Sequence, residues 1–275
     1  MNFYALKAKS IFSLIAFFAL SLTMMTAQDA EKKVTATGTY NEALALLKEK
    51  NYDEGLPLMK QAVDLAMTEE NEKVLKLAKK NAAKASYSLG KAKYKEKAYD
   101  EALKLYNEGM EFDSTNTSNI AGIGAVYKKQ GKNLEATDYL VQAAKMNMEA
   151  GKDKKVASAL KTLNVMAGKA YTGDKFEEAI AIGEKALMIK DHASIAYYVS
   201  RAHLETGNND KALEYANKAV EVGTTEEAVE DKYYIAQAKA YEALGNKADA
   251  IASYEKVTGE KYLEQAKYQI TKLKG

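Results

Sequence analysis

Residues 132–136 read Lys132-Asn133-Leu134-Glu135-Ala136, a polar turn followed by two spacer residues and a small side chain. This motif occurs five more times, as Asn51-Tyr52-Asp53-Glu54-Gly55, Ala98-Tyr99-Asp100-Glu101-Ala102, Lys175-Phe176-Glu177-Glu178-Ala179, Asn208-Asn209-Asp210-Lys211-Ala212 and Asn246-Lys247-Ala248-Asp249-Ala250. The small residues at 55, 102, 136, 179, 212 and 250 give intervals of 47, 34, 43, 33 and 38 residues. Paired amphipathic helices repeated at such a spacing predict a solenoid, in which each unit buries its apolar face against its neighbours.

The composition favours helices along the whole chain. Hydrophobic residues make up 47% of the 275 residues and charged residues 28%, and Pro57 is the single proline. Ala, Lys, Glu and Leu, all strong helix formers, are abundant together with Tyr. No alternation of Val, Ile and Thr is sustained between turn residues, so the sequence gives no strand signal. We therefore expect an all-helical protein.

The first 27 residues have the three-part layout of a secretory signal peptide. Lys7 and Lys9 give a positive start, an apolar run covers 11–22, and Ala27 offers a small residue for cleavage. The alternative is a retained anchor helix, but a run of about a dozen residues is shorter than the roughly 20 that span a bilayer. We expect cleavage after Ala27, a short polar and flexible lead at 28–36, and a periplasmic or secreted product.

Charge and cysteine content restrict the possible partners. Without Lys7 and Lys9 the chain has 38 basic and 38 acidic residues, so a general attraction to nucleic acid is not supported. There is no Cys, so neither a disulfide nor the lipid-modified Cys of a bacterial lipoprotein is available. No other apolar stretch reaches spanning length, and we expect no membrane span after signal removal.

The helical stretch before each motif carries small residues at a fixed distance from it along the sequence. In the third unit Ile123-Gly124-Ala125-Val126-Tyr127 is followed by Gly131, Ala136 and Ala143. This arrangement resembles the tetratricopeptide repeat, over about residues 37–258. The resemblance implies an all-α, right-handed α-solenoid of about six helix hairpins with a C-terminal capping helix. The expected hairpins lie at about 37–68, 83–115, 117–148, 160–191, 193–224 and 231–258, and the cap at 259–275.

The chain departs from the family pattern in two ways. The proline that commonly closes these repeats is absent, and Ser114, Asp191 and Thr224 stand in its place. The two long intervals add residues at 67–80 and 144–158, which we expect to extend helices and to change the superhelical pitch at those junctions.

Signals for catalysis are weak. His192 and His203 are the only histidines and have no partner at metal-ligand spacing, and no Cys nucleophile or phosphate-binding glycine loop is present. Acidic pairs such as Asp53-Glu54 and Glu177-Glu178 recur at one structural offset, which favours a role as helix caps and in pairing with the helix dipole over catalysis. We expect no enzyme activity, no metal and no cofactor.

The resemblance also implies a binding surface, because in tetratricopeptide arrays the first helices line a concave groove. Mapped onto this sequence, the groove residues are Tyr40, Lys84, Tyr87, Lys91, Tyr94, Lys128, Lys161, Asn164, Tyr171, Tyr197, Arg201, Lys232 and Lys239. Tyr rings and Lys or Arg cations suit an extended peptide with acidic groups. The alternative is a solvated helix face in a Lys-rich and Tyr-rich protein.

We therefore expect an exported, non-enzymatic scaffold that binds a peptide or protein partner in its groove. By analogy with the family, cell-envelope assembly, secretion or chaperoning would be its setting. The alternative is a permanent structural subunit of an envelope complex that docks through its convex face or its C-terminal helix.

Overall fold

The computed structural model describes residues 34–225 and 230–275, and in these ranges the chain forms thirteen α-helices and no β-strand. The helices are α1 (Ala36–Lys48), α2 (Tyr52–Thr68), α3 (Glu72–Lys95), α4 (Tyr99–Phe112), α5 (Thr117–Lys129), α6 (Asn133–Glu149), α7 (Asp153–Thr172), α8 (Phe176–Leu187), α9 (Ala193–Glu205), α10 (Asn209–Thr225), α11 (Asp231–Ala243), α12 (Lys247–Tyr254) and α13 (Glu260–Lys274). The predicted signal peptide at 1–27 and most of the predicted lead at 28–36 lie outside the described residues. Within those residues, no helix has both the length and the apolar character that crossing a membrane requires.

The first twelve helices form six hairpins, and each hairpin joins its two helices by three residues. In each pair the first helix packs on the second, and the second packs on the first helix of the next pair. The last helix, α13, lies against α11 and α12 and covers the end of the array. Its apolar stripe of Tyr262, Ala266, Ile270 and Leu273 contacts the last hairpin. The predicted α-solenoid of six hairpins with a C-terminal capping helix is confirmed.

All six turns within the hairpins reverse the chain in the same way. Each has one residue in the left-handed region: Lys50 (φ 63°), Lys97 (φ 64°), Gly131 (φ 78°), Asp174 (φ 57°), Gly207 (φ 77°) and Gly245 (φ 77°). The backbone N–H of the residue that follows donates a hydrogen bond to a carbonyl near the end of the preceding helix. Lys132 donates to the Tyr127 carbonyl (3.0 Å) and Asn51 to the Leu46 carbonyl (2.9 Å). This satisfies a carbonyl that would otherwise lack a partner at the helix end.

Small residues occupy the places where helices cross most closely. The small residue that ends each of the six motifs is buried: Gly55, Ala102, Ala136, Ala179, Ala212 and Ala250. The ring of Tyr106 is 3% exposed and is enclosed by Gly90 of α3 and Gly122 of α5. A Cβ atom on either glycine would lie 2.7 Å from a Tyr106 ring carbon. Only glycine allows this approach, and the ring joins the second hairpin to the third.

The acidic pairs at the second-helix starts lie inside the first turn, as Asp53 and Glu54 do in α2 and Glu177 and Glu178 do in α8. There they complement the positive end of the helix dipole, as predicted. The expectation that they cap these helices is wrong, because the cap position of α2 is held by Asn51, whose side chain accepts from the Glu54 N–H.

The two long intervals are accommodated by extended helices, as predicted. The first helices α3 and α7 have 24 and 20 residues, whereas α1, α5, α9 and α11 have 13 each.

The junction between the third and fourth hairpins differs from the others. Elsewhere the first helices of successive hairpins contact each other, in the order α1, α3, α5 and again α7, α9, α11. Between α5 and α7 no two Cα atoms lie within 8 Å, and the second helices α6 and α8 make contact instead. The array is therefore closed on its second-helix side at this junction and open on its first-helix side. We call the space between α5 and α7 the wedge.

Candidate binding groove

Three cavities follow one another along the first-helix side of the N-terminal hairpins. Cavity 1, of about 430 Å³, lies against α1, α2 and α3 and is walled by Leu44, Leu47 and Tyr52. Cavity 2, of about 390 Å³, and cavity 3, of about 460 Å³, are both bounded by α5 and α7 and so occupy the wedge. Each volume falls in the range of about 300–1,000 Å³ that is typical of binding sites.

The three cavities form one continuous trough. Tyr87 and Ser118 line both cavity 1 and cavity 2, and Ser158 and Thr162 line both cavity 2 and cavity 3. Neighbouring cavities therefore share part of their walls, and we call the three together the trough.

The charge of the trough has one sign. Its lysines are Lys48 and Lys84 in cavity 1, Lys91 and Lys155 in cavity 2, and Lys128, Lys129, Lys161 and Lys169 in cavity 3. Among the residues that the structure describes, no Asp or Glu lines any of the three cavities. None of these eight lysines forms an ion pair with another residue in the described part of the chain. Unpaired cations over a partly apolar floor favour an anionic ligand.

One of these lysines, Lys128, has a pKa that is shifted by its surroundings. Burial lowers the pKa of Lys128, and the neighbouring Lys129 and Lys169 charges lower it further. A carboxylate placed beside it would relieve the repulsion among these three side chains.

In the C-terminal part of the groove the cations already have partners. The Arg201 guanidinium lies 5.7 Å from the centroid of the Tyr171 ring and 3.3 Å from a carboxylate oxygen of Glu205. The Arg201 side chain is 15% exposed. Burial lowers the pKa of the nearby Lys239, and the Arg201 charge adds to this effect.

Lys232 is held in the same way. Its Nζ atom lies 2.7 Å from a carboxylate oxygen of Glu230 and 5.5 Å from the centroid of the Tyr197 ring. Burial raises the pKa of Tyr197 to about 12, so this ring stays neutral beside the cations.

The structure thus divides the predicted groove residues into two clusters. The trough contains Lys84, Tyr87, Lys91, Tyr94, Lys128 and Lys161, and the C-terminal cluster contains Tyr171, Tyr197, Arg201, Lys232 and Lys239. The remaining two lie elsewhere. The Tyr40 hydroxyl accepts a hydrogen bond from Asn81 (3.0 Å) while its ring packs on the core, and Asn164 lines a separate cavity beside His192.

Several trough residues are missing from the sequence prediction, among them Leu44, Leu47, Tyr52, Lys129, Lys155 and Lys169. A signal for Lys129 and Lys169 was available, since both belong to the first helices.

The histidines are explained by packing. His203 is 7% exposed, stacks on Tyr215 with ring centroids 5.6 Å apart, and has Nε2 3.3 Å from a carboxylate oxygen of Glu184. His192 stands at the N-cap position of α9. Among the described residues, no group of three or more His, Cys, Asp or Glu side chains is arranged to hold a metal ion.

Comparison with protein families gave a match to the Tetratricopeptide repeat model over residues 40–116 and 200–261. Comparison with curated proteins gave no match. The solved structures that resemble the chain include a crystal structure of MamA protein, with 20% identity, a TM-score of 0.41 and coverage of 68% of this chain and 94% of that one. Another is YrrB, described as a TPR protein with an unusual peptide-binding site, with 15% identity, a TM-score of 0.38 and coverage of 63% and 83%. A third is the TPR2AB domain of yeast Sti1 in complex with pHSP90, with 16% identity, a TM-score of 0.38 and coverage of 87% and 98%.

Proposed function

The chain belongs to the tetratricopeptide repeat family, and we propose that it is a non-enzymatic scaffold that binds a protein or peptide partner in the groove of its first helices. The observation that carries this proposal is the trough from α1 to α7, whose three cavities are lined by eight lysines and no carboxylate in the described part of the chain.

The chemistry of the trough favours a partner with acidic groups. Its Tyr rings, including Tyr87 and Tyr94, offer rigid contact area, and its Lys side chains offer charged hydrogen bonds. The overall balance of charge is close to neutral, so the preference is local to this surface.

Export is part of the same proposal. It is supported by the charged start at Lys7 and Lys9, the apolar run at 11–22 and the small residue Ala27. A bacterial envelope, with a role in its assembly, in secretion or in chaperoning, is the setting that we propose. Determining the N-terminal residue of the protein recovered from its native source tests this point, and a chain that still begins at Met1 would contradict it.

The binding function is tested by replacing Lys84, Lys91 and Lys128 together with Glu. Partner capture from native extract, quantified by mass spectrometry, should fall for this variant while helical content by circular dichroism stays the same. Unchanged capture by the folded variant would exclude the trough as the binding surface.

The alternative is permanent docking through the convex face or the C-terminal helix, and the helix has little support as a docking surface. The exposed positions at 260–275 are polar, charged or glycine, except for Tyr268 at 67% exposure. A stable interface of that kind needs a larger apolar area.

A further inference from the structure

We infer that the wedge between α5 and α7 is an insertion site for an extended acidic segment of a partner protein. The inference rests on the proposed function and narrows it, because it places the partner's backbone between two hairpins instead of along the surface of the whole groove.

The first argument is the missing helix contact. Every other pair of successive first helices approaches closely, and α5 and α7 do not. The junction is held by α6 and α8 on the opposite side, so the open side is not needed to keep the hairpins together. Cavities 2 and 3 fill this space.

The second argument is the shape of the two walls. Small side chains face the wedge from both helices: Ala121, Gly122 and Ala125 on α5, and Ser158, Ala159 and Thr162 on α7. They let a peptide backbone come close to both helices, and the hydroxyl groups of Ser158 and Thr162 can bond to it. Leu140 and Asn147 of α6 lie at the floor.

The charge of the wedge indicates which kind of partner segment it would bind. Lys128 and Lys129 stand on one wall and Lys161 and Lys169 on the other, and no carboxylate of residues 34–225 or 230–275 lines the cavity between them. Four cations around one cleft favour a segment with several Asp or Glu residues over a neutral or basic one. Val165, which is 49% exposed, and Met166 add apolar contact at the same place.

The test begins with an unbiased probe. The purified protein is screened against a random library of labelled peptides about a dozen residues long, a length that spans about 40 Å when extended. We expect the bound peptides to be enriched in Asp and Glu. The tightest of them then serves as the probe in fluorescence anisotropy.

Two variants separate the wedge from the rest of the surface. Replacing Lys128, Lys129, Lys161 and Lys169 with Gln should weaken binding of the probe by at least tenfold, roughly 1.4 kcal/mol. The matched control replaces Lys73, Lys76, Lys80 and Lys95 with Gln. These are exposed lysines of α3 that line none of the three cavities, and they should leave affinity unchanged.

A covalent bridge gives an independent readout. The chain has no Cys, so the pair Ala125→Cys and Thr162→Cys can be joined across the wedge with a reducible cross-linker. The bridged protein should lose probe binding, and reduction should restore it.

The outcomes test the proposed groove function and the wedge inference separately. If acidic peptides bind equally well to the Lys-to-Gln variant and to the bridged protein, the wedge inference is wrong and the groove function stands. Bound peptides without acidic enrichment lead to the same conclusion. If no peptide binds, the proposed function fails and the inference fails with it.

Discussion

Between α1 and α7 the lysines of the first helices face open cavities, whereas between α7 and α11 the corresponding cations lie against rings and carboxylates. Lys128 lines a cavity with no Asp or Glu among its described lining residues, and Arg201 has both the Tyr171 ring and Glu205. Both parts of the groove contain the same residue types in the same helical register. At the wedge the difference comes from helix approach, because α7 contacts α9 whereas α5 and α7 do not contact each other.

The comparison shows that charge on a repeat surface is not the same as charge available to a partner. A cation held by a neighbouring ring and carboxylate contributes to stability, and moving it to a ligand would lose those contacts. A cation in an open wedge keeps its capacity for a partner.

The largest effect we predict separates the two parts by charge reversal. Replacing Lys128, Lys161 and Lys169 with Glu should weaken binding of the acidic probe about 100-fold, near 2.7 kcal/mol, because attraction becomes repulsion at three positions. Replacing Arg201, Lys232 and Lys239 with Glu should weaken it less than about threefold. Anisotropy titrations measure both. Equal losses from the two triple variants would remove the distinction between the clusters.

A second prediction concerns packing. Ala at an exposed helix position is usually more stable than Gly by about 0.5–1 kcal/mol, but Gly122→Ala should lower stability by about 1–3 kcal/mol. The new Cβ would press on the buried Tyr106 ring. Gly168→Ala should cost less, because its neighbour Tyr198 is only half-buried and can move. Urea unfolding measures both variants, and a stabilised Gly122→Ala protein would contradict the close contact.

The third prediction is alkaline sensitivity. Burial raises the pKa of Tyr106 and Tyr197 to about 12, and it raises the pKa values of Tyr171, Tyr215 and Tyr254 as well. In the unfolded chain these groups ionise near pH 10. Their contribution is therefore complete below about pH 10 and is lost as the pH rises toward about 12.

Because four of these five tyrosines belong to the C-terminal hairpins, that part should open first. Limited proteolysis at about pH 11 should cut within α7–α13 before α1–α6, and Tyr197→Phe should reduce the loss of melting temperature between about pH 9 and pH 11. First cuts in the N-terminal helices would be the opposite result.

The smallest predicted effect is on single cations. Arg201→Gln removes a ring contact and an ion pair and should lower stability by about 0.5–1 kcal/mol. Lys161→Gln should leave stability unchanged within error, because Lys161 has no ion pair among the described residues. Thermal unfolding of the two variants side by side measures the difference. A cost for Lys161 equal to that for Arg201 would show that the trough lysines stabilise the fold.

Much of the fold was predictable from local pattern. Small residues at 55, 102, 136, 179, 212 and 250 all proved to be buried at helix crossings, because a close crossing excludes larger side chains wherever it occurs. The resemblance to tetratricopeptide repeats also selected Lys84, Lys91, Lys128 and Lys161, which the structure places in one trough. The resemblance could not show that Arg201 and Lys232 are already paired, because that depends on distances between different helices.

The sequence by itself determined the repeated hairpin, its turns and its covered end, since each depends on residues near one another along the chain. Only the tertiary structure decided that α5 and α7 stand apart while α6 and α8 meet. That arrangement depends on how the extended helices pack against helices that are distant in sequence. The same arrangement leaves four lysines around an open cleft, and no local pattern specifies it.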